Sequence, residues 1–171
     1  MLVLITGLPG TGKSTISYRL ARNIRASVLR TDEVRKRILE PLTYSEEEKE
    51  LVYKATFLIA EHLLRARRNV IIDGTFYKME LRRRIYSIAA ATRSEMTVVE
   101  CIAPESVIKR RMERRARRRT LSDADYEVYK KVKVQYEPIK REHIILDTSN
   151  PLRDNLSELY NKMDLQKWSR R

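Results

Sequence analysis

Apolar residues along this chain come in short blocks that alternate with longer stretches of helical periodicity. Leu2, Val3, Leu4 and Ile5 form the first block, with no polar residue inside it. Ile16, Leu20 and Ile24 follow four apart, the spacing of one helix face. Further blocks stand at 27–29, 70–72, 96–102 and 144–146, each predicting a strand. Helical patterns cover 32–40, which stops at Pro41, and 46–68, 78–92, a segment opening near Pro104, and 151–168. In 46–68 the predicted apolar stripe runs through Leu51, Val52, Ala55, Leu58, Ile59, His62, Leu63 and Ala66, which places His62 in the core or at its boundary. Ser122 reads as the N-cap of a helix ending near Pro138, and Trp168 as the anchor of the last helix. Uninterrupted apolar strands are buried on both faces, which predicts an α/β fold with a parallel sheet between helix layers. In such sheets ligands bind beyond the carboxyl ends of the strands. The functional residues are therefore expected in 6–15, 30–35, 73–77, from 103 onward, and in 147–150.

Length and composition narrow the class. The 171 residues predict a single domain over 1–171. Although 42% of residues are hydrophobic, no apolar run nears the roughly 20 a membrane span needs. Met1 to Ile5 is too short for a signal peptide, so a soluble cytoplasmic protein is expected. Cys101 is the only cysteine, which excludes a disulfide framework and leaves thiolate zinc chemistry without ligands. His62 and His143 have no partner at metal-ligand spacing.

The strongest chemical signal is Gly7-Leu8-Pro9-Gly10-Thr11-Gly12-Lys13-Ser14, a full match to G-x-x-x-x-G-K-[ST]. It follows a buried strand and opens an amphipathic helix, the context in which glycines let successive N–H groups face phosphate oxygens. Gly7, Gly10, Thr11 and Gly12 would form the cradle. Lys13 would reach the β- and γ-phosphates, Ser14 would hold Mg²⁺, and Thr15 would contact the α-phosphate. ATP and Mg²⁺ are thus the expected cofactors.

Which phosphate chemistry follows is read from the other strand ends. Ile71-Ile72-Asp73-Gly74-Thr75 lacks the glutamate that motor ATPases place beside this aspartate, and no Asn-Lys-x-Asp guanine reader occurs. A small kinase remains. It needs a base near the acceptor hydroxyl, and Asp32 stands just after the second strand, across from the phosphate loop. Arg35 lies one turn on and is expected to clamp the acceptor or orient Asp32. Asp73 is expected to bind Mg²⁺ directly or through water, and Thr75 to contact the acceptor. The plainer alternatives are a helix cap and ion pair for Asp32 and Arg35, and a capping carboxylate for Asp73.

Charge changes the picture once more. The chain carries 36 Lys and Arg against 23 Asp and Glu, a net +13. Residues 109–119, KRRMERRARRR, hold eight basic residues and one acidic, over half of that surplus. An arginine-rich helical lid at about 109–125 is expected, with Arg111, Arg115 and Arg118 sharing one face toward the migrating phosphoryl group. The surplus suits a polyanionic acceptor, an RNA or DNA 5′ end. It also suits heat adaptation, since 35% of residues are charged and only Gln135 and Gln166 are glutamine. Under that account the acceptor is a small molecule such as a sugar, nucleoside, antibiotic or sugar nucleotide. A nucleic-acid-binding protein regulated by ATP, without transfer, is the reading from another class.

The segments GLPGTGKST (7–15), VLRTDEVRKR (28–37), VIIDGTF (70–76), CIAPESVIKRRMERRARR (101–118) and SDADYEVYKKVKVQYEP (122–138) resemble the small P-loop kinases of the AAA-type ATP-binding, polynucleotide kinase and zeta-toxin kind. The resemblance implies a three-layer P-loop fold with sheet order 2-3-1-4-5. It implies Asp32 as general base, Arg35 at the acceptor, and a lid arginine, best matched by Arg115, on the ATP phosphates. The same group includes kinases of antibiotics, sugar nucleotides, gluconate and seryl-tRNA, so the resemblance does not name the acceptor, and it is the density of arginine beside the site that favours the 5′-hydroxyl of RNA or DNA.

Overall fold

The computed structural model describes residues 1–116 and 125–164. Five strands, β1 (Leu2–Thr6), β2 (Ser27–Arg30), β3 (Val70–Asp73), β4 (Met96–Ile102) and β5 (Ile144–Asp147), form one parallel sheet in the order β2-β3-β1-β4-β5. The helices are α1 (Lys13–Ile24), α2 (Thr31–Ile38), α3 (Glu46–Arg65), α4 (Met79–Ala91), α5 (Glu105–Ala116), α6 (Tyr126–Gln135) and α7 (Leu152–Lys162). The sequence expectation of sheet and order holds.

Alternation along β1 decides the layers, because successive strand residues face opposite sides. Leu2 and Leu4 pack with Val70, Ile72 and Val98 against Phe57, Ala60 and Leu64 of α3 and Leu81 and Ile85 of α4. Val3 and Ile5 pack with Ile71, Val99 and Leu146 against Ile16, Leu20 and Ile24 of α1 and Leu159 of α7. A smaller cluster of Ile108, Met112 and Tyr129 joins α5 to α6. No helix among the described residues is long and apolar enough to cross a membrane.

Two local expectations change. Helix α3 turns a different face inward: Val52, Thr56, Phe57, Ala60 and Leu64 are buried, while Leu51, Leu58, Ile59 and His62 are exposed. The helix has apolar residues all round, so periodicity alone does not choose its inner side. Its first turn carries a buried acid. Glu48 accepts from Thr43 N (2.7 Å), Thr43 Oγ1 (2.8 Å) and Tyr44 N (2.8 Å), and pairs with Arg35 at 3.2 Å. Burial pushes this carboxyl up, but those donors and Arg35 outweigh it and hold it below the ordinary glutamate range. Finally, α6 is capped by Asp125, whose side chain accepts from Val128 N at 2.9 Å. Ser122 and Trp168 lie outside the described residues.

The arginine run 82–84, whose faces the sequence does not place, divides between interior and surface. Arg82 is fully buried and donates to the carbonyls of Phe76 (2.9 Å), Tyr77 (3.3 Å), Glu137 (2.8 Å) and Pro138 (3.2 Å). It clasps the loop after β3 to the chain leaving α6. Arg84 reaches both carboxylate oxygens of Glu50, at 3.0 and 3.1 Å, and stacks over Phe57.

Candidate active site

One cleft of about 800 Å³ runs across the carboxyl edge of the sheet. At its centre the chain leaves β1 as the glycine loop. Gly7 has φ 136°, and a Cβ there would lie 2.2 Å from the Cys101 carbonyl, so only glycine lets the loop pass this close to β4. Gly12, with φ 83°, is the N-cap of α1. The loop's positive helix end therefore opens into the cleft.

Gly10, Gly12, Lys13, Ser14 and Thr15 line the cleft as expected. Gly7 and Thr11 do not. Thr11 is buried and sends its hydroxyl (2.8 Å) and N–H (3.3 Å) to the Leu8 carbonyl, bracing the loop from inside. Lys13 Nζ donates to the same carbonyl at 2.9 Å. Desolvation lowers the Lys13 pKa, while Asp73 and Asp32 pull it back and Arg115 lowers it further. Arg115 and Asp32 thus both stand within electrostatic reach of that ammonium.

Asp73, at the end of β3, is buried in the cleft. Burial raises its pKa above the ordinary range, with Lys13, the Ser14 hydroxyl and Arg30 pulling the other way. Its Oδ2 has no hydrogen-bond partner, and the Arg30 Nε lies 3.4 Å away. It caps no helix: the N-cap of the following helix is Lys78. Asp32 lines the cleft in the first turn of α2. Among the described residues no hydrogen bond or ion pair engages its carboxylate, and α2 has no side-chain cap, so the capping alternative is not realised. Arg35 also lines the cleft, but its Nη1 is turned to Glu48 and its guanidinium lies 5.1 Å over Tyr44. The partner expected for it, Asp32, is not the one it takes.

The far end of the cleft, toward β5, is built on Thr148. Its hydroxyl donates to the Thr11 carbonyl at 2.6 Å. Arg111 donates to the Thr148 carbonyl (2.6 Å), to its hydroxyl (2.9 Å) and to the Gly10 carbonyl (3.5 Å). Sequence reasoning aimed Arg111 at phosphate. The structure ties it to two carbonyls and a hydroxyl, which bonds α5 to both the glycine loop and the 147–150 turn. Arg115 shares the cleft with it, and Arg118 lies outside the described residues. Thr75 lines the cleft and accepts at its carbonyl from Thr6 Oγ1 at 2.6 Å. Arg30, Tyr77 and Thr148 line the cleft within the expected windows 30–35, 73–77 and 147–150, without a role having been assigned to them, and Tyr44 and Lys49 line it from outside every window. The signal for the first three was their place at a strand end, whereas Tyr44 and Lys49 precede and open α3 and carried none.

Comparison with known proteins agrees with this layout. The profile of the AAA domain family matches residues 2–139. An uncharacterized protein of Mycobacterium tuberculosis is 30% identical over 93% of this chain and 34% of its own length, so the chain spans about a third of that relative. A probable adenylyl-sulfate kinase of Aeropyrum pernix is 32% identical over 94% of this chain and 90% of its own. The structure of the Mycobacterium tuberculosis APS kinase CysC in complex with AMPPNP and APS superposes with a TM-score of 0.71 at 19% identity, covering 95% of this chain and 96% of that one, a likeness of fold.

Proposed function

The chain belongs to the AAA domain family, among its small P-loop kinases, and we propose that it transfers the γ-phosphoryl group of ATP to an alcohol. The observation that carries this is the shared cleft: the glycine loop, Lys13 and Ser14 share it with a carboxylate, Asp32, that no other side chain among the described residues engages by hydrogen bond or ion pair. A nucleotide seated on the loop would present its last phosphate toward β2 and α2. Asp32 then accepts the proton of the acceptor O–H as that oxygen bonds to the γ-phosphorus. The bond from γ-phosphorus to the bridging oxygen breaks, and ADP leaves with its electron pair. Lys13 and Arg115 stabilise the charge that spreads over the phosphoryl oxygens. Ser14 Oγ and the Asp73 carboxylate are hard oxygen donors that fit Mg²⁺, and the unpartnered Asp73 Oδ2 leaves a lone pair for a cation. That ion, when bound, neutralises charge on the β- and γ-phosphate oxygens.

For the acceptor, the geometry favours a small alcohol over a polymer. Several arginines outside the 109–119 run are engaged within the protein: Arg82 in the interior, Arg84 on Glu50, Arg65 on Glu61 and Arg37 on Glu33. A 5′-hydroxyl end of RNA or DNA is the second reading, favoured by exposed Lys109, Arg110 and Arg114 on α5, beside the Arg115 that lines the cleft.

Incubation with γ-labelled ATP and a panel of adenylyl sulfate, sugar acids, nucleosides and 5′-hydroxyl oligonucleotides tests both. A labelled small alcohol whose yield barely changes between 50 and 200 mM salt supports the first reading, whereas polymer labelling should fall steeply over about that range. Lys13→Ala should abolish the product. Absence of labelled product across the whole panel ends the kinase reading.

A further inference from the structure

Helix α3, with 20 residues the longest of the described helices, is apolar on its outward side as well as its inward one. Leu51 is 49% exposed, Leu58 57% and Ile59 40%. Leu51, Ala55, Leu58 and His62 stand four, three and four residues apart, so they form one ridge along the helix. Single exposed leucines are ordinary on a protein surface, but a ridge at this spacing is the seam by which one helix packs against another. The sheet side of α3 is already filled by Val52, Thr56, Phe57, Ala60 and Leu64, so the ridge faces away from the core.

Charge indicates what covers it. The chain carries a net +13, yet residues 46–68 hold five acidic residues, at 46, 47, 48, 50 and 61, and five basic ones, at 49, 54, 65, 67 and 68, and so are neutral. This is a face on which two copies of a strongly cationic protein can meet without repelling each other. The charges are also sorted by position. Four of the acids fall in 46–50, and three of the bases in 65–68. Beside the ridge, Lys54 and Glu61 stand seven residues apart, at the positions that flank the seam of a helix pair. When α3 is laid antiparallel on a second copy, with Leu58 against Ala55 and Leu51 against His62, the acidic start of each helix runs along the basic end of the other. Lys54 of each copy then comes beside Glu61 of the other. A parallel arrangement sets acid on acid and base on base. Within the chain Lys54 pairs with Glu50 at 3.8 Å and Glu61 with Arg65 at 2.6 Å, exposed pairs that can admit a further charge at little cost.

We propose that α3 is a dimer interface, on which a second copy of this chain packs antiparallel along the Leu51–His62 ridge about a two-fold axis. The face is self-complementary in its apolar residues and in its charges, as an isologous contact requires. One helix pair covers less surface than a standard interface, so the dimer is weak, with a Kd of about micromolar order. The first turn of α3 also carries Glu48, which takes Thr43, Tyr44 and Arg35, so the pairing braces the helix on which one rim of the cleft is held. The dimer does not depend on which reaction the cleft performs.

Sedimentation velocity of the full chain between roughly 1 and 300 µM tests this. Wild type should pass from monomer to dimer across that range. Leu58→Glu, at an exposed position, should weaken the dimer about a hundredfold or more while moving Tm by no more than about 2 °C. Lys54→Glu and Glu61→Lys should each weaken it about tenfold, because each sets like charges together on both sides of the axis. An equimolar mixture of these two variants should associate as wild type does, since every exchanged charge then meets its opposite on the other chain. A charge that acts only within its own helix gains nothing from such mixing. A wild type that stays monomeric throughout overturns the proposal and assigns the ridge to another partner. So does a dimer that persists in Leu58→Glu, or a mixture that associates no better than its components. Should Leu58→Glu fail to fold, the mixture, made at surface positions, decides alone.

Discussion

Replacing Arg82 with methionine isolates what the buried clasp contributes. The substitution keeps most of the stem volume and removes four donor contacts, two of them at 2.8 and 2.9 Å. Each bond to a charged donor contributes roughly 1.5–3 kcal/mol net, offset by several kcal/mol for keeping a guanidinium out of water. No carboxylate faces Arg82 among its bonds, so the carbonyls alone supply the compensation. What the methionine variant loses is then mainly the satisfaction of buried carbonyls at Phe76 and at Glu137 to Pro138, about 3–5 kcal/mol, the usual cost of removing one partner of a buried network. For a chain of this length that is a fall in Tm of about 6–20 °C. Arg84→Met is the internal control. It removes a half-exposed pair with Glu50 and a stacking contact, together about 1–2 kcal/mol. Scanning calorimetry of both variants and of Arg82→Lys reads the difference directly. The lysine variant should recover less than half of the loss, because one ammonium cannot span both sides of the clasp. If Arg82→Met melts within 2 °C of wild type, or no lower than Arg84→Met, the argument from unsatisfied carbonyls is wrong.

Further expectations concern the cleft. Asp32→Asn should lower kcat by about 10² or more with the KM for ATP nearly constant, and equal turnover would remove Asp32 from the chemistry. Asp73→Asn should abolish transfer yet raise Tm at neutral pH. Because burial lifts the folded-state pKa of Asp73, the native protein binds this proton more tightly than the unfolded chain does. Wild-type stability therefore falls as pH rises through that raised value, and the asparagine variant escapes the fall. Its advantage should close toward about pH 3, where both states are protonated, and an advantage constant with pH would contradict the cause assigned. Arg111→Met should raise the KM for ATP about tenfold and speed hydrogen exchange at the Thr148 N–H, and unchanged exchange would show that the clamp on the glycine loop does not exist in solution.

Much of the layout was legible in residue pattern because the physics is local. A run such as Leu2 to Ile5 has no polar edge to expose, and the glycine spacing at 7, 10 and 12 answers to backbone geometry within the loop itself. Asp32 and Asp73 were found because strand ends are few and chemistry collects there. The orientation of α3 was not legible, since Leu51, Leu58 and Ile59 are as apolar as the residues that are buried. Nor was the division among arginines. Arg82, Arg83 and Arg84 are identical in sequence terms, and only the approach of 136–138 from far along the chain decides which one is enclosed. Glu48 is a similar case, an acid that looks like the next in a charged helix start until Thr43 and Tyr44 fold over it.

Glu48 also divides the cleft into halves of unequal construction. The nucleotide half is laced to the sheet by carbonyls and hydroxyls from three separate strand ends, so exchanging any one of its residues disturbs the others. The opposite rim, 35–45, is gathered on a carboxylate rooted in α3, the one that takes Thr43, Tyr44 and Arg35. Such a rim can be replaced as an interchangeable cassette: a graft of 35–48 from a relative carries its own anchor with it, and should transplant acceptor choice while leaving the nucleotide seat untouched.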